Sequence, residues 1–317
     1  MMKQMFLAGV VGLASSSAAV AGPFYLDLGG GGGLGLPNAG DPNNSGSTRT
    51  QDFNSMGSLD TLATSIYQAS SPGDIGPGTP VFDTNRSDVL GDVSITNGSI
   101  QTPSDDQRNI AGFVPAASLA GGNGFAASPD DWQGNNWGMT FDYDLAGQVV
   151  SGSGDDLNNA AVNFTSGTFD YFFEYEGERL QVLSIDVTGS SGSIANLVLE
   201  GRVNFDFLAN GGFSADEQDF IQNFFRDAAT GDSFYDIAST GAEVPIHWRL
   251  DTNVDGDEDL IEGEYQGETV WVRQTELNTT ARFQVPEPSA VMLLGLGLVG
   301  LAFVAHRRRK ADQDLAA

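Results

Sequence analysis

Alternation of apolar and polar residues is the feature that most narrows what this chain can become. Met139-Thr140-Phe141-Asp142-Tyr143-Asp144-Leu145 places every second side chain on one apolar face, the period of a half-buried strand. Further candidate strands follow at Ala161–Phe164, Thr168–Tyr175, Leu180–Val187, Ile194–Phe207, Glu243–Leu250, Tyr265–Arg273 and Thr279–Val285. Turns such as Ser151-Gly152-Ser153-Gly154 and Gly189-Ser190-Ser191-Gly192 separate them. Short strands with glycine-rich turns and no βαβ rhythm predict a mainly β body, an antiparallel β-sandwich or barrel.

One amphipathic helix interrupts the pattern. Ser214 and Glu217 form a capping box, Asp216 and Asp219 sit in the first turn, and Arg226 lies near the other end before Gly231. Phe220, Ile221, Phe224, Phe225 and Ala228 make one apolar face, most simply a lid over an open end of the sheets. Residues 22–57 read as a flexible segment rich in Gly, Asn and Ser, ahead of a β-rich body over 58–284. Ser58–Gln68 is ambiguous, since Leu59, Leu62, Ala63 and Ile66 have helical spacing while Thr61, Thr64, Ile66 and Tyr67 favour strand. The turns at Ser71-Pro72-Gly73-Asp74 and Gly76-Pro77-Gly78 tilt it to strand, with Pro80-Val81-Phe82 as its returning partner.

Both ends carry apolar segments outside this pattern. Lys3, an apolar core from Met5 to Ala14, and Ala19-Val20-Ala21 before Gly22 have the charge, core and A-x-A site of a secretory signal peptide over 1–21. The core is too short for a retained anchor. At the other end, Val285-Pro286-Glu287-Pro288-Ser289 runs into an apolar stretch from Ala290 to Ala305 and then Arg307-Arg308-Arg309-Lys310. A helix of that length is at the short end of what crosses about 30 Å of hydrocarbon, and the basic cluster after it orients the last residues, 311–317, to the cytoplasm. Pro286 and Pro288 forbid helix around Glu287 and favour an extended, accessible segment.

Over 285–310 the order of Pro-Glu-Pro box, glycine-spaced membrane helix and arginine cluster resembles the PEP-CTERM sorting domain. The resemblance implies an exported protein of a Gram-negative bacterium, membrane-anchored as a precursor and processed by an exosortase after signal peptidase. The cell surface or extracellular matrix of exopolysaccharide-producing cells is then its destination. The strand pattern and acidity of the body bear a faint similarity to flocculation-associated PEP-CTERM proteins.

Charge limits the partners. The chain has 14 Lys+Arg against 42 Asp+Glu; setting aside Lys3, Arg307, Arg308, Arg309, Lys310, Asp312 and Asp314 leaves nine arginines against forty carboxylates, near −31. Such a body repels nucleic acid and anionic lipid, so membrane contact is expected only through the C-terminal helix. It suits calcium, solubility or cationic partners. With no cysteine and only His247 and His306, a disulfide framework, a histidine-based metal site and a two-histidine hydrolase are outside the inventory.

Asp251-Thr252-Asn253-Val254-Asp255-Gly256-Asp257-Glu258-Asp259-Leu260-Ile261-Glu262 fits D-x-[DN]-x-[DN]-G-x₅-E. It resembles the EF-hand loop and related calcium loops of extracellular bacterial proteins, with Asp251, Asn253, Asp255, Asp257, Asp259 and Glu262 as ligands. Glu258 stands where EF-hands place an aliphatic residue and the flanks read as strands, so a lone Ca²⁺ loop within a hairpin is expected rather than a paired EF-hand. The rival reading is a solvated acidic turn. Glu174 and Glu176 share a strand face, as a glycosidase pair could, but nothing else marks a cleft. His247, Trp132 and Trp137 read as structural residues before catalytic or sugar-stacking ones. The expectation is therefore a non-catalytic surface or matrix protein linked to exopolysaccharide, biofilm or floc formation, with an exported carbohydrate-active hydrolase as the alternative.

Overall fold

The computed structural model describes residues 22–29, 49–104, 108–110, 112–115, 137–154, 156–175, 178–239, 245–255 and 259–285. The strands are β1 (Phe24–Leu26), β2 (Phe53–Gly57), β3 (Thr61–Gln68), β4 (Pro80–Thr84), β5 (Ser94–Ile95), β6 (Gly112–Pro115), β7 (Trp137–Ser151), β8 (Ala161–Tyr175), β9 (Glu178–Ser193), β10 (Asn196–Asn204), β11 (Phe225–Asp227), β12 (His247–Asp255), β13 (Ile261–Tyr265) and β14 (Glu268–Gln284). The helices are α1 (Ser87–Gly91), α2 (Phe207–Asn210), α3 (Ala215–Phe224) and α4 (Phe234–Ser239).

Eight antiparallel strands close on themselves. The path β14-β12-β10-β9-β8-β7-β4-β3 is hydrogen-bonded throughout, and β3 pairs back onto β14. Around the ring the strands follow chain order, so this is an up-and-down barrel. The paired residues Gln274, Thr64, Thr84, Asp144, Thr168, Asp186, Arg202 and His247 lead once round to Gln284, ten residues further along β14. That stagger reflects the tilt a closed eight-stranded sheet needs, and it leaves an interior filled by side chains or holding one small ligand. The barrel alternative of the sequence reading is the observed one.

Along β7 inward positions are apolar and outward ones mostly polar. On β7 Trp137, Met139, Phe141, Tyr143 and Leu145 point in and are buried. Asp142, between them, sits on the outer wall in ion pairs with Arg108 and Arg179. This polarity is opposite to that of a lipid-facing barrel. Gly167 lets β8 turn the barrel corner: its φ is +139°, and a Cβ there would meet the Asp144 carbonyl oxygen at 2.2 Å.

Several boundaries differ from the sequence pattern. The span 22–57 is not wholly a flexible segment, because Phe24–Leu26 and Phe53–Gly57 are core strands in which Phe24, Leu26, Phe53 and Met56 are fully buried. The apolar Phe24-Tyr25-Leu26 precedes the glycine run and finds a partner in β11, a pairing no local pattern reveals. Gly189–Gly192 is not a turn: β9 continues through it to Ser193, paired with Asn196 of β10. The two segments proposed at Thr168–Tyr175 and Ala161–Phe164 are one bulged strand.

α3 plugs one end of the barrel, as its apolar face predicts. Ser214 and Glu217 make both bonds of the capping box, and Phe220, Ile221 and Phe224 are buried. The helix stops at Phe224 because Phe225 adopts extended backbone and joins β1, while Arg226 Nε donates to the Asn223 carbonyl at 3.2 Å. Among the described residues no helix is long and apolar enough to cross a membrane. Residues 1–21, with Ala19 and Ala21, and 286–317, with Pro286, Glu287, Pro288, Arg307, Arg308 and Arg309, lie outside the described residues.

Candidate functional site

The barrel interior holds a cavity of about 50 Å³, walled mainly by aliphatic and aromatic side chains, with Ser65, Tyr67, Asp83 and Tyr143 among its lining. Its polar corner is built from three neighbouring strands. Register sets Ser65 of β3 opposite Asp83 of β4, and Asp83 opposite Leu145 of β7. The Ser65 hydroxyl and Asp83 carboxylate are hydrogen-bonded, and Tyr143 Oη donates to Asp83 Oδ1 at 2.7 Å. Where β4 ends, the Asn85 side chain takes over the ladder, accepting from Tyr143 N at 2.8 Å and donating to the Phe141 carbonyl at 3.0 Å. Those bonds hold β4 in line with β7 and hence hold Asp83 against Tyr143.

Burial dominates the electrostatics here. It pushes the Asp83 carboxyl up to about 6, against the lowering effect of Ser65, Tyr143 and the Arg273 guanidinium. It also pushes the Tyr67 phenol up to about 12, with Asp83 adding to the shift, and raises Tyr143 well above the usual phenol range. Arg273 is inward-facing and buried. A network of this kind penalises misalignment of β3, β4 and β7, because the bonds of Ser65 and Tyr143 to Asp83 form only in one register. Alternation along β7 already put Tyr143 on the inward face, but Asp83 left no periodic signal, because Phe82 interrupts the alternation around it.

The residues expected to bind Ca²⁺ are distributed differently. Asp251 and Asn253 lie outward on β12, and Thr252 and Val254 alternate with them into the barrel. Asp255 is the last residue of that strand, paired with Glu276. At about 3.3 Å per residue, Asp251 and Asp255 are some 13 Å apart along the strand, too far to share one ion at Ca–O distances of about 2.3–2.6 Å. Asp251 instead accepts from Arg249 at 2.8 Å. Asp257 lies outside the described residues, Asp259 is exposed, and Glu262 is in β13 opposite Trp271. Among the described residues no group of three His, Cys, Asp or Glu could hold a metal.

The hairpin itself is also elsewhere. Its turn is Gln266-Gly267, where both φ values are positive, as a two-residue I′ turn demands. β12 ends at Asp255 opposite Glu276 and β13 begins at Ile261 opposite Val272, while residues 256–258 lie outside the described residues.

On the outer wall, Glu174 accepts from Thr140 Oγ1 at 2.7 Å and lies 3.3 Å from Arg179 Nε, while Glu176 is outside the described residues. His247 is exposed at the start of β12. Trp137 is a core anchor against Phe173, and Trp132 lies outside the described residues.

β14 ends at Gln284, and Val285 is still buried in the core. A family model for the PEP-CTERM protein-sorting motif matches residues 284–309. This is a PEP-CTERM domain-containing protein. The PEP-CTERM motif makes it an exported protein sorted by an exosortase from a membrane-anchored precursor of a Gram-negative bacterium. The match begins on the last residue of the last barrel strand, so sorting signal and folded body abut. No curated protein and no solved structure matches the chain.

Proposed function

We propose that this PEP-CTERM protein is a non-catalytic surface or extracellular-matrix component linked to exopolysaccharide, biofilm or floc formation, whose barrel is a rigid body delivered by its sorting signal. The observation that carries this reading is the junction at Gln284: a closed barrel runs into the motif without a linker. Pro286–Ser289 is four residues, a reach of at most about 14 Å before the apolar stretch begins at Ala290. The precursor thus holds the α3-capped end of the barrel close to the membrane. Its acidity suits the role: among the described residues Arg49, Arg86, Arg108, Arg179, Arg226 and Arg249 pair with carboxylates, and carboxylates far outnumber basic residues in the chain, 42 Asp+Glu against 14 Lys+Arg.

Intact-mass analysis of the surface fraction tests the reading. The mature protein is expected to have lost the chain after Pro288, and Pro286→Ala with Pro288→Ala should make the precursor accumulate. A surface form still carrying Leu293 to Lys310 would leave a plain membrane anchor. Release of reducing sugar from exopolysaccharide by the purified protein would favour the hydrolase alternative.

Calcium belongs to this reading through the acidic motif at 251–262. Binding there by Asp257 and Asp259 with Asp251, Asn253, Asp255 and Glu262 requires β12 to fray and Asp251 to leave Arg249. A cation that binds only the folded chain stabilises it by about 2.7 kcal/mol at one hundred times its Kd, raising Tm by a few degrees. The expected outcome is a larger Tm gain with Ca²⁺ than with Mg²⁺ at matched ionic strength, abolished by Asp251→Ala with Asp255→Ala. Equal responses in wild type and variant would reduce the motif to a solvated acidic stretch.

A further inference from the structure

At the capped end, α2, α3 and α4 enclose an open groove of about 480 Å³, within the range of about 300–1,000 Å³ typical of small-ligand sites. Its lining includes Asn204 from the end of β10, Phe205 and Asp206 leading into α2, Gln218 and Gln222 one helical turn apart on α3, and Tyr235 on α4. Phe205 and Tyr235 meet edge to face, with ring centroids 5.4 Å apart at 86°. Both are partly exposed. Gln218 donates to the Phe213 carbonyl at 2.9 Å, which fixes its amide and leaves its oxygen as an acceptor. Among the described residues no hydrogen bond engages the Gln222 amide, which can donate and accept.

The donor set discriminates between ligand classes. Among the described lining residues there is no cation, so an anionic ligand would meet only Asp206 and amide dipoles. One carboxylate is too few for a metal, and so many polar groups are too costly to cover with a purely apolar ligand. Amides that donate and accept at once match hydroxyl groups, which do the same, and aromatic rings offer a surface for the C–H faces of a sugar ring. We propose that this groove is a binding subsite for an uncharged, polyhydroxylated ligand, a stretch of neutral glycan. The inference deepens the matrix reading and rests on it for the ligand's setting, while its chemistry comes from the groove alone.

The test is affinity electrophoresis of the full chain in a detergent without a sugar headgroup, in native gels containing dextran, hydroxyethylcellulose, galactomannan or, as the anionic comparison, alginate. At least one neutral polymer is expected to retard the protein. Gln218→Ala with Gln222→Ala should weaken that retardation about tenfold, the scale of two ordinary hydrogen bonds. Because Gln218 also bonds Phe213, Gln222→Ala alone provides a second variant, and an unchanged melting temperature verifies its fold. Retardation by alginate only, by no polymer, or equally in wild type and variants would overturn the proposal. Surface processing is followed in parallel: correct processing without retardation removes the groove and leaves the matrix reading, whereas failed processing removes that reading whatever the gels show.

Discussion

The α3-capped end of the barrel and its interior cavity are built with different chemistry. At the α3-capped end, Phe24 lies 5.2 Å from Phe283, 6.0 Å from Phe225 and 6.5 Å from Phe234, all buried. Phe173, Phe220 and Phe224 form a second triad with centroids 5.3 Å apart. Toward the other end the core loosens into the cavity, and its polar corner is Ser65, Asp83 and Tyr143. Dense aromatic contact supplies dispersion and burial, whereas a half-buried, hydrogen-bonded carboxyl supplies register at a cost in desolvation. The capped end should therefore carry stability with little dependence on pH, and the cavity half should carry the pH response.

Phe283→Ala probes the first half of that contrast and should have the largest effect. Removing a fully buried ring bordered by Phe24, Phe225 and Phe234 should cost about 3–5 kcal/mol in urea unfolding. A loss below about 1 kcal/mol would mean that the cluster collapses around the gap and is not closely packed.

Asp83→Asn probes the second half. Burial raises the Asp83 carboxyl from 3.8 to about 6, so between those values the folded chain holds a proton that the unfolded chain releases. The stability linked to Asp83 is complete below 3.8 and is lost as pH rises through about 6, by on the order of 3 kcal/mol. Wild type should therefore lose stability relative to Asp83→Asn between pH 4 and pH 7, read as a widening difference in melting temperature. Parallel curves would place the pH response elsewhere.

The smallest effect sharpens the account of the cap. Ser214→Ala removes the hydroxyl half of the capping box, leaves the bond from its backbone N–H to Glu217, and should cost about 1 kcal/mol, because α3 is also held by Phe220 and Phe224. A larger loss would mean that the helix terminus, rather than its aromatic face, anchors the plug.

What could be read in advance follows interaction range. α3 was legible because a capping box and an apolar stripe are contacts within ten residues. β3 was ambiguous because it is buried on both faces: Ala63 and Tyr67 face the barrel interior, while Ile66 packs outside with Val93, Val270 and Val272. A strand covered on both sides loses its alternation. The acidic motif at 251–262 matched a calcium loop in residue type, but pairing of β12 with both β10 and β14 keeps its first half extended. The sites on the helices and in the lumen left no local trace, since Asn204, Gln218 and Tyr235 come from separate elements.

The sequence by itself determined the β class, the helix cap and the sorting signal, all of which depend on neighbours along the chain or on a linear motif read by an export machine. Only the tertiary structure decided that the strands close into a barrel, that Phe24–Leu26 joins its core, and that Ser65, Asp83 and Tyr143 meet. Closure depends on β3 pairing with β14, about two hundred residues away, and on a ten-residue stagger accumulated over eight ladders. No single segment encodes those long-range pairings; they emerge when every inward face must be buried and every backbone donor paired at once.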